Sequence, residues 1–282
     1  MSQTQSLLVG CVRSKGRGLV SAAATVFTLF FPRTLRSGRT IFGVLLALTP
    51  LALVIFLGSV DTLPSQAPRG ARLFEWLIGL YHLQFLCPFL GLLYGSHAVA
   101  EDIDGRTAVY LLTRPIPRSG LALGKWLVAS ACAALLVVAS VVLTYVLLSR
   151  FEVGAGLSGQ YSLLLKYCAV AGGGVVVYAA VFTALGAWVK RALLVGLVLT
   201  SIWEVVVANI PAPVQGATIL FRCRVLLAAL GVEPVVIGPK GRFLVEEIPG
   251  VGAALLPLGV VLVVAVGLSC LALHVRRYAL EK

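Results

Sequence analysis

Residues 126–148 read WLVASACAALLVVASVVLTYVLL, an apolar run from Trp126 to Leu148 without a single charge. About 20 such residues carry an α-helix across the hydrocarbon core of a bilayer. In that solvent only helices and closed barrels satisfy every backbone polar group. Working outward, Ile41–Val60, Leu73–Ala98, Tyr167–Val189, Ala192–Ile210 and Val251–His274 are of the same kind. The expected fold is therefore an all-α integral membrane protein with six transmembrane helices. Only Lys190 and Arg191 separate the fourth span from the fifth. One continuous helix there would be about twice the length a bilayer needs, so a tight turn around the two cations is expected.

Composition supports this class. Hydrophobic residues make up 59% of the 282-residue chain and charged residues only 12%, and the mean hydropathy is +1.00. A soluble domain carries about 25% charged residues, so this chain lacks the polar atoms to cover a water-facing surface. Its 23 Lys and Arg outnumber its 11 Asp and Glu. In a membrane protein that excess points to loops retained in the cytoplasm rather than to nucleic acid. With the N-terminus inside, 15 basic residues fall on the inner side and 8 on the outer, which places both termini in the cytoplasm.

Two stretches outside the spans have their own character. Leu19–Phe31 is apolar, fenced by Arg17 and Arg33, and too short to cross. It is expected to lie in the inner interface, making residues 1–40 a basic N-terminus with an interfacial amphipathic helix ahead of a transmembrane domain at 41–282. The outer segment 211–250 contains ATILFRCRVLLAAL (Ala217–Leu230), apolar but broken by Arg222 and Arg224. It is expected to form a short outer helix between spans five and six, lying on the surface or partly re-entrant. The six cysteines form no CxxC or zinc spacing. Leu8-Val9-Gly10-Cys11 imitates a lipoprotein cleavage site, but too few apolar residues precede it for a signal segment.

The loop between spans two and three is the most ordered in residue type. It runs Glu101-Asp102-Ile103-Asp104-Gly105-Arg106-Thr107, then through Leu111-Leu112 to Arg114-Pro115-Ile116-Pro117-Arg118, and reaches Gly124-Lys125 at the head of span three. An acidic cluster closes span two, Gly105 breaks the chain direction, and a short helix over Thr107–Thr113 is expected until Pro115 and Pro117 stop it. Arg114, Arg118 and Lys125 give it a cationic edge. A snorkelling positive-inside turn explains these arginines, but not the ordered run of acid, Gly-Arg-Thr, apolar helix and Arg-Pro.

That run resembles the loop between the second and third helices of ABC-2-type transporter permeases. Glu101, Thr107, Leu111, Leu112, Pro115, Arg118, Gly124 and Lys125 fall in the family's order, and Arg106 is an insertion where many members join Gly directly to Thr. Six spans, an amphipathic lead-in and a long segment before the last span also look like that family. The resemblance implies a permease of the bacterial inner membrane, an exporter by preference, paired with a separate ATP-binding subunit and with a second permease copy or paralogue. Residues 101–118, with Lys125, would then couple to the ATPase.

The chain agrees on an independent point: it has no phosphate-binding loop of its own. Gly120–Lys125 is the nearest attempt, with three residues between its glycines and Trp126 after the lysine. ATP and magnesium are expected on the partner, with no cofactor or metal on this chain. Glu204, near the middle of span five, costs on the order of 2.5–3.5 kcal/mol to bury and so faces a partner or a wet cavity. It is a candidate for the substrate pathway, or for the ion site of a gradient-driven carrier or channel; an inter-helix hydrogen bond is the plainer alternative. Gly172-Gly173-Gly174 is expected to permit close helix packing. No set of catalytic groups converges, so an enzyme is not expected.

Overall fold

A computed structural model describes residues 19–59, 69–104, 118–151, 154–189, 191–209, 213–232 and 249–275. Every regular element among them is helical. α1 is Leu19–Leu35 and α2 is Gly38–Ser59. α3 spans 71–104, with a π-helical stretch at Ile78–Leu86 between the α-helical Ala71–Leu77 and Cys87–Asp104. α4 is Arg118–Leu148 and α5 is Tyr161–Trp188. α6 covers 192–209 and changes from α-helix to π-helix at Thr200–Val206, then to a 3₁₀ turn at Val207–Asn209. A 3₁₀ turn at Pro213–Ala217 leads to α7, Ile219–Ala229, and α8 is Val251–Val275.

Five of these helices are long and apolar enough to cross a membrane: α2, the 71–98 part of α3, α4, α5 and α8. They coincide with five of the six expected spans. The remaining candidate, α6, is a separate and shorter apolar helix. Val189 is extended and Arg191 is non-helical, so the break expected at the two cations is present.

α3 and α5 form the centre, and small residues let them approach. A Cβ on Gly91 would stand 2.5 Å from Tyr178 Cβ, and one on Gly95 would stand 2.7 Å from the Ala179 carbonyl. At the far end of the same crossing Gly186 lies against the Ser96 backbone. This is the small-residue packing by which membrane helices gain van der Waals contact without a hydrophobic driving force. Buried Ala122, Ala187 and Ala272 draw α4, α5 and α8 together in the same way.

α2 is bound to this centre by polar contacts that follow from a proline. Pro50 has no N–H for the Leu46 carbonyl. Tyr81 Oη donates to that carbonyl at 2.8 Å, and Ser140 Oγ donates to the next one, Ala47, at 2.7 Å. His82, fully buried, is hydrogen-bonded to Ser140 at 3.0 Å. Tyr81 and Tyr94 thus tie α3 to α2. Tyr94 Oη donates to Thr40 at 3.0 Å.

α1 packs along the first turns of α4. A Cβ on Gly124 would meet Val26 Cβ at 2.6 Å and the Ala23 carbonyl at 2.9 Å. Val20 and Leu29 on its other face stay exposed, as befits a helix with one face on protein and one toward lipid.

Candidate functional site

α7 does not lie on the surface. All of Ile219, Leu220, Cys223, Arg224, Val225, Leu226, Leu227 and Ala228 are buried. A Cβ on Gly174, halfway along α5, would stand 3.0 Å from Cys223 Sγ, so α7 reaches the middle of the bundle. The chain passes along α6 to Asn209, turns back through Pro213–Ala217, and leaves again along α7. The short helix expected at 217–230 is present as Ile219–Ala229 and is packed inside the bundle.

The start of α7 sits against Glu204. Its first N–H groups have no partner within the helix, and two of them are taken by the Glu204 carboxylate. The N–H of Ile219 donates to Oε1 at 3.2 Å and the N–H of Leu220 to Oε2 at 3.0 Å. Thr218 caps the next one, accepting from Phe221 N at 3.3 Å. Tyr178 Oη on α5 also donates to Glu204 Oε2, at 2.6 Å. The acid is 5% exposed. A negative charge at a helix N-terminus is favourably placed against the helix dipole, which is what makes its burial tolerable.

One turn along α7, Arg224 is 2% exposed. Its guanidinium donates to the Ala208 carbonyl at 3.3 Å and to Gln84 Oε1 at 3.2 Å. The cluster thus spans α3, α5, α6 and α7, and Gln84 and Glu204 both belong to π-helical stretches. Such stretches are rare and concentrate where a helix must present particular groups. For the first there is a steric cause. Pro88 follows it, and in an α-helix its ring would strike the Gln84 carbonyl, which a wider turn moves aside.

The residues singled out in the 101–125 region are placed as follows. Glu101 and Asp102 stand in the last turn of α3, which ends at Asp104, and Arg118 opens α4. Gly105, Arg106, Thr107, Leu111, Leu112, Arg114 and Pro115 lie outside the described residues, as do the expected helix Thr107–Thr113 and Cys11. Lys125 is not on an open edge. It is 6% exposed, with Nζ 3.6 Å from the centre of the Phe30 ring on α1, a cation–π geometry. Of the three consecutive glycines Gly172–Gly174 in α5, a Cβ on Gly174 would meet Cys223 and one on Gly172 would touch Val138, whereas one on Gly173 would face open space.

The family model described as ABC-2 family transporter protein matches residues 36–207. The chain belongs to this family. The match runs from the end of α1 through the Glu204 stretch of α6, and encloses the 101–118 loop. It makes the chain a multi-pass membrane component of a transporter, a kind of subunit that is not itself catalytic. A comparison with curated proteins finds no match.

Sequence reasoning gave Glu204 its weight but missed Arg224, Gln84 and Tyr178. Arg224 was legible as a cation inside an apolar run, and pairing it with the nearest intramembrane acid was the available signal. Gln84 and Tyr178 carried none, because each is ordinary in a membrane helix until its neighbours are known.

Proposed function

We propose that this ABC-2 family chain is the membrane subunit of an ATP-driven exporter of the bacterial inner membrane. ATP and magnesium are bound by a separate subunit, and two permease chains make the working complex. The observation that carries this reading is the family match over 36–207, in a chain with no phosphate-binding loop of its own. In this reading α6 is the sixth crossing, so both termini and the 101–118 loop face the cytoplasm, as the distribution of basic residues favours.

The loop joins α3 to α4, and α3 is packed along α5, so a push on the loop is delivered to the centre of the bundle. Acidic residues in the last turn of a helix oppose its dipole, which supports a role for Glu101, Asp102 and Asp104 beyond helix stability. Lys125 contributes indirectly: its contact with Phe30 makes α1 move with α4. The re-entrant segment 213–232 closes the outer end, and Glu204 fixes its depth.

The test is co-purification with an ATP-binding cassette protein, sought first among the products of neighbouring genes. Charge reversal in R114E/R118E is expected to weaken that complex or to let ATP hydrolysis run without transport. An unchanged complex with unchanged coupling would remove the loop's assignment. Transport that proceeds without any ATPase and follows a proton or sodium gradient would instead favour a carrier with Glu204 as its ion site.

A further inference from the structure

The corner between α1 and α2 forms an open groove of about 550 Å³ lined by Leu29, Pro32, Arg33, Arg36 and Ser37. The corner is rigid. Ser37 N and Ser37 Oγ both donate to the Thr34 carbonyl, at 3.1 and 2.7 Å. Thr40 Oγ1 donates to the same oxygen at 2.7 Å and is itself held by Tyr94. Arg33 and Arg36 are exposed, and neither side chain has an ion pair or hydrogen bond among the described residues. Beside them Leu29 is 63% exposed and Pro32 is exposed. The groove therefore has an apolar lip and two guanidinium groups without an ion pair among the described residues, at the start of a helix long enough to cross the membrane.

A ligand that satisfies both halves is amphiphilic and anionic. Guanidinium groups match phosphate oxygens in geometry and charge, and basic residues at the end of a membrane helix attract anionic headgroups. Free phosphate would leave the apolar half of the lining unused. We propose that this corner binds the phosphate of an anionic phospholipid of the adjoining leaflet. Arg33 and Arg36 hold the phosphate oxygens, Ser37 is within the same groove, and Leu29 and Pro32 lie against the upper acyl chain. The site fixes α1 to the leaflet, and it does not depend on the ATPase pairing proposed above.

The full chain, purified in neutral detergent, is assayed by native mass spectrometry for retained phosphatidylglycerol against phosphatidylcholine. The expected preference is about tenfold or more for phosphatidylglycerol, falling close to parity in R33Q/R36Q. R150Q, whose arginine is exposed at the opposite end of α4, should leave it unchanged. Because neither guanidinium has a hydrogen bond or ion pair among the described residues, the double variant is expected to melt with the wild type. A preference that survives R33Q/R36Q overturns the proposal, as does one lost equally in R150Q. Displacement of the lipid by an equal concentration of inorganic phosphate overturns the lipid assignment in favour of a free-anion site.

Discussion

A carboxylate inside a membrane bundle persists only where donors replace its water, and Glu204 receives them from Tyr178, Ile219 and Leu220. Removing it orphans two helix N–H groups and the Tyr178 hydroxyl. E204A is therefore expected to lose about 3–5 kcal/mol of stability, and Y178F, which deletes one hydrogen bond to a charged acceptor, about 1.5–3 kcal/mol. Thermal melting of the purified variants reads both, and an E204A protein that melts like the wild type would show that α7 is held by packing alone. E204Q keeps the side-chain length but turns an amide donor toward other donors, so it should fall between the two. The presence of an expensive acid was legible in the sequence. Its partners were not, since Tyr178 and Ile219 are 26 and 15 residues away and meet it only after the chain re-enters.

At the scale of elements, hydropathy located five long helices, because lipid demands a continuous apolar surface of fixed length, but not their polar ends: α4 begins at Arg118 and α5 at Tyr161, ahead of the apolar runs that open at Trp126 and Tyr167. It said nothing of the π-helical turns, which cost no hydrophobicity. The proline in α2 shows how an element is adjusted by its neighbour: Pro50 frees the Leu46 carbonyl and Tyr81 fills it. Y81F should cost about 1 kcal/mol in the native background and nearly nothing once P50A restores the helical donor. A double-mutant cycle with no coupling would break that account. The α3–α5 crossing is similarly specific. G91V must push into Tyr178 Cβ and its backbone, an overpacking worth about 1–3 kcal/mol. G173A meets nothing within 4 Å and should be neutral or slightly stabilising, given alanine's better helix propensity. Melting temperatures that rank G173A below G91V would contradict this packing.

At the scale of the whole molecule, the proposed exporter needs the 101–118 loop and both termini on one side and the segments after α2 and α7 on the other. Single cysteines placed at Thr113 and Ser65 in a cysteine-free background test this. An impermeant maleimide added to intact cells is expected to label S65C, and T113C only after the cells are opened. Equal labelling of both would reverse or break the topology. The sequence by itself determined that the chain lives in lipid, where its long helices run, and which loop carries the family's pattern. Each of these is written in runs of neighbouring residues, and the bilayer's thickness and polarity act on such runs directly. Only the tertiary structure decided that Ala217–Leu230 enters the bundle instead of lying outside it. Its arginine could be buried because Gln84 and the Ala208 carbonyl receive it, and its helix start because Glu204 caps it. Whether a charge in an apolar helix stays at the surface or goes inside depends on partners far away in sequence, and no local pattern records them.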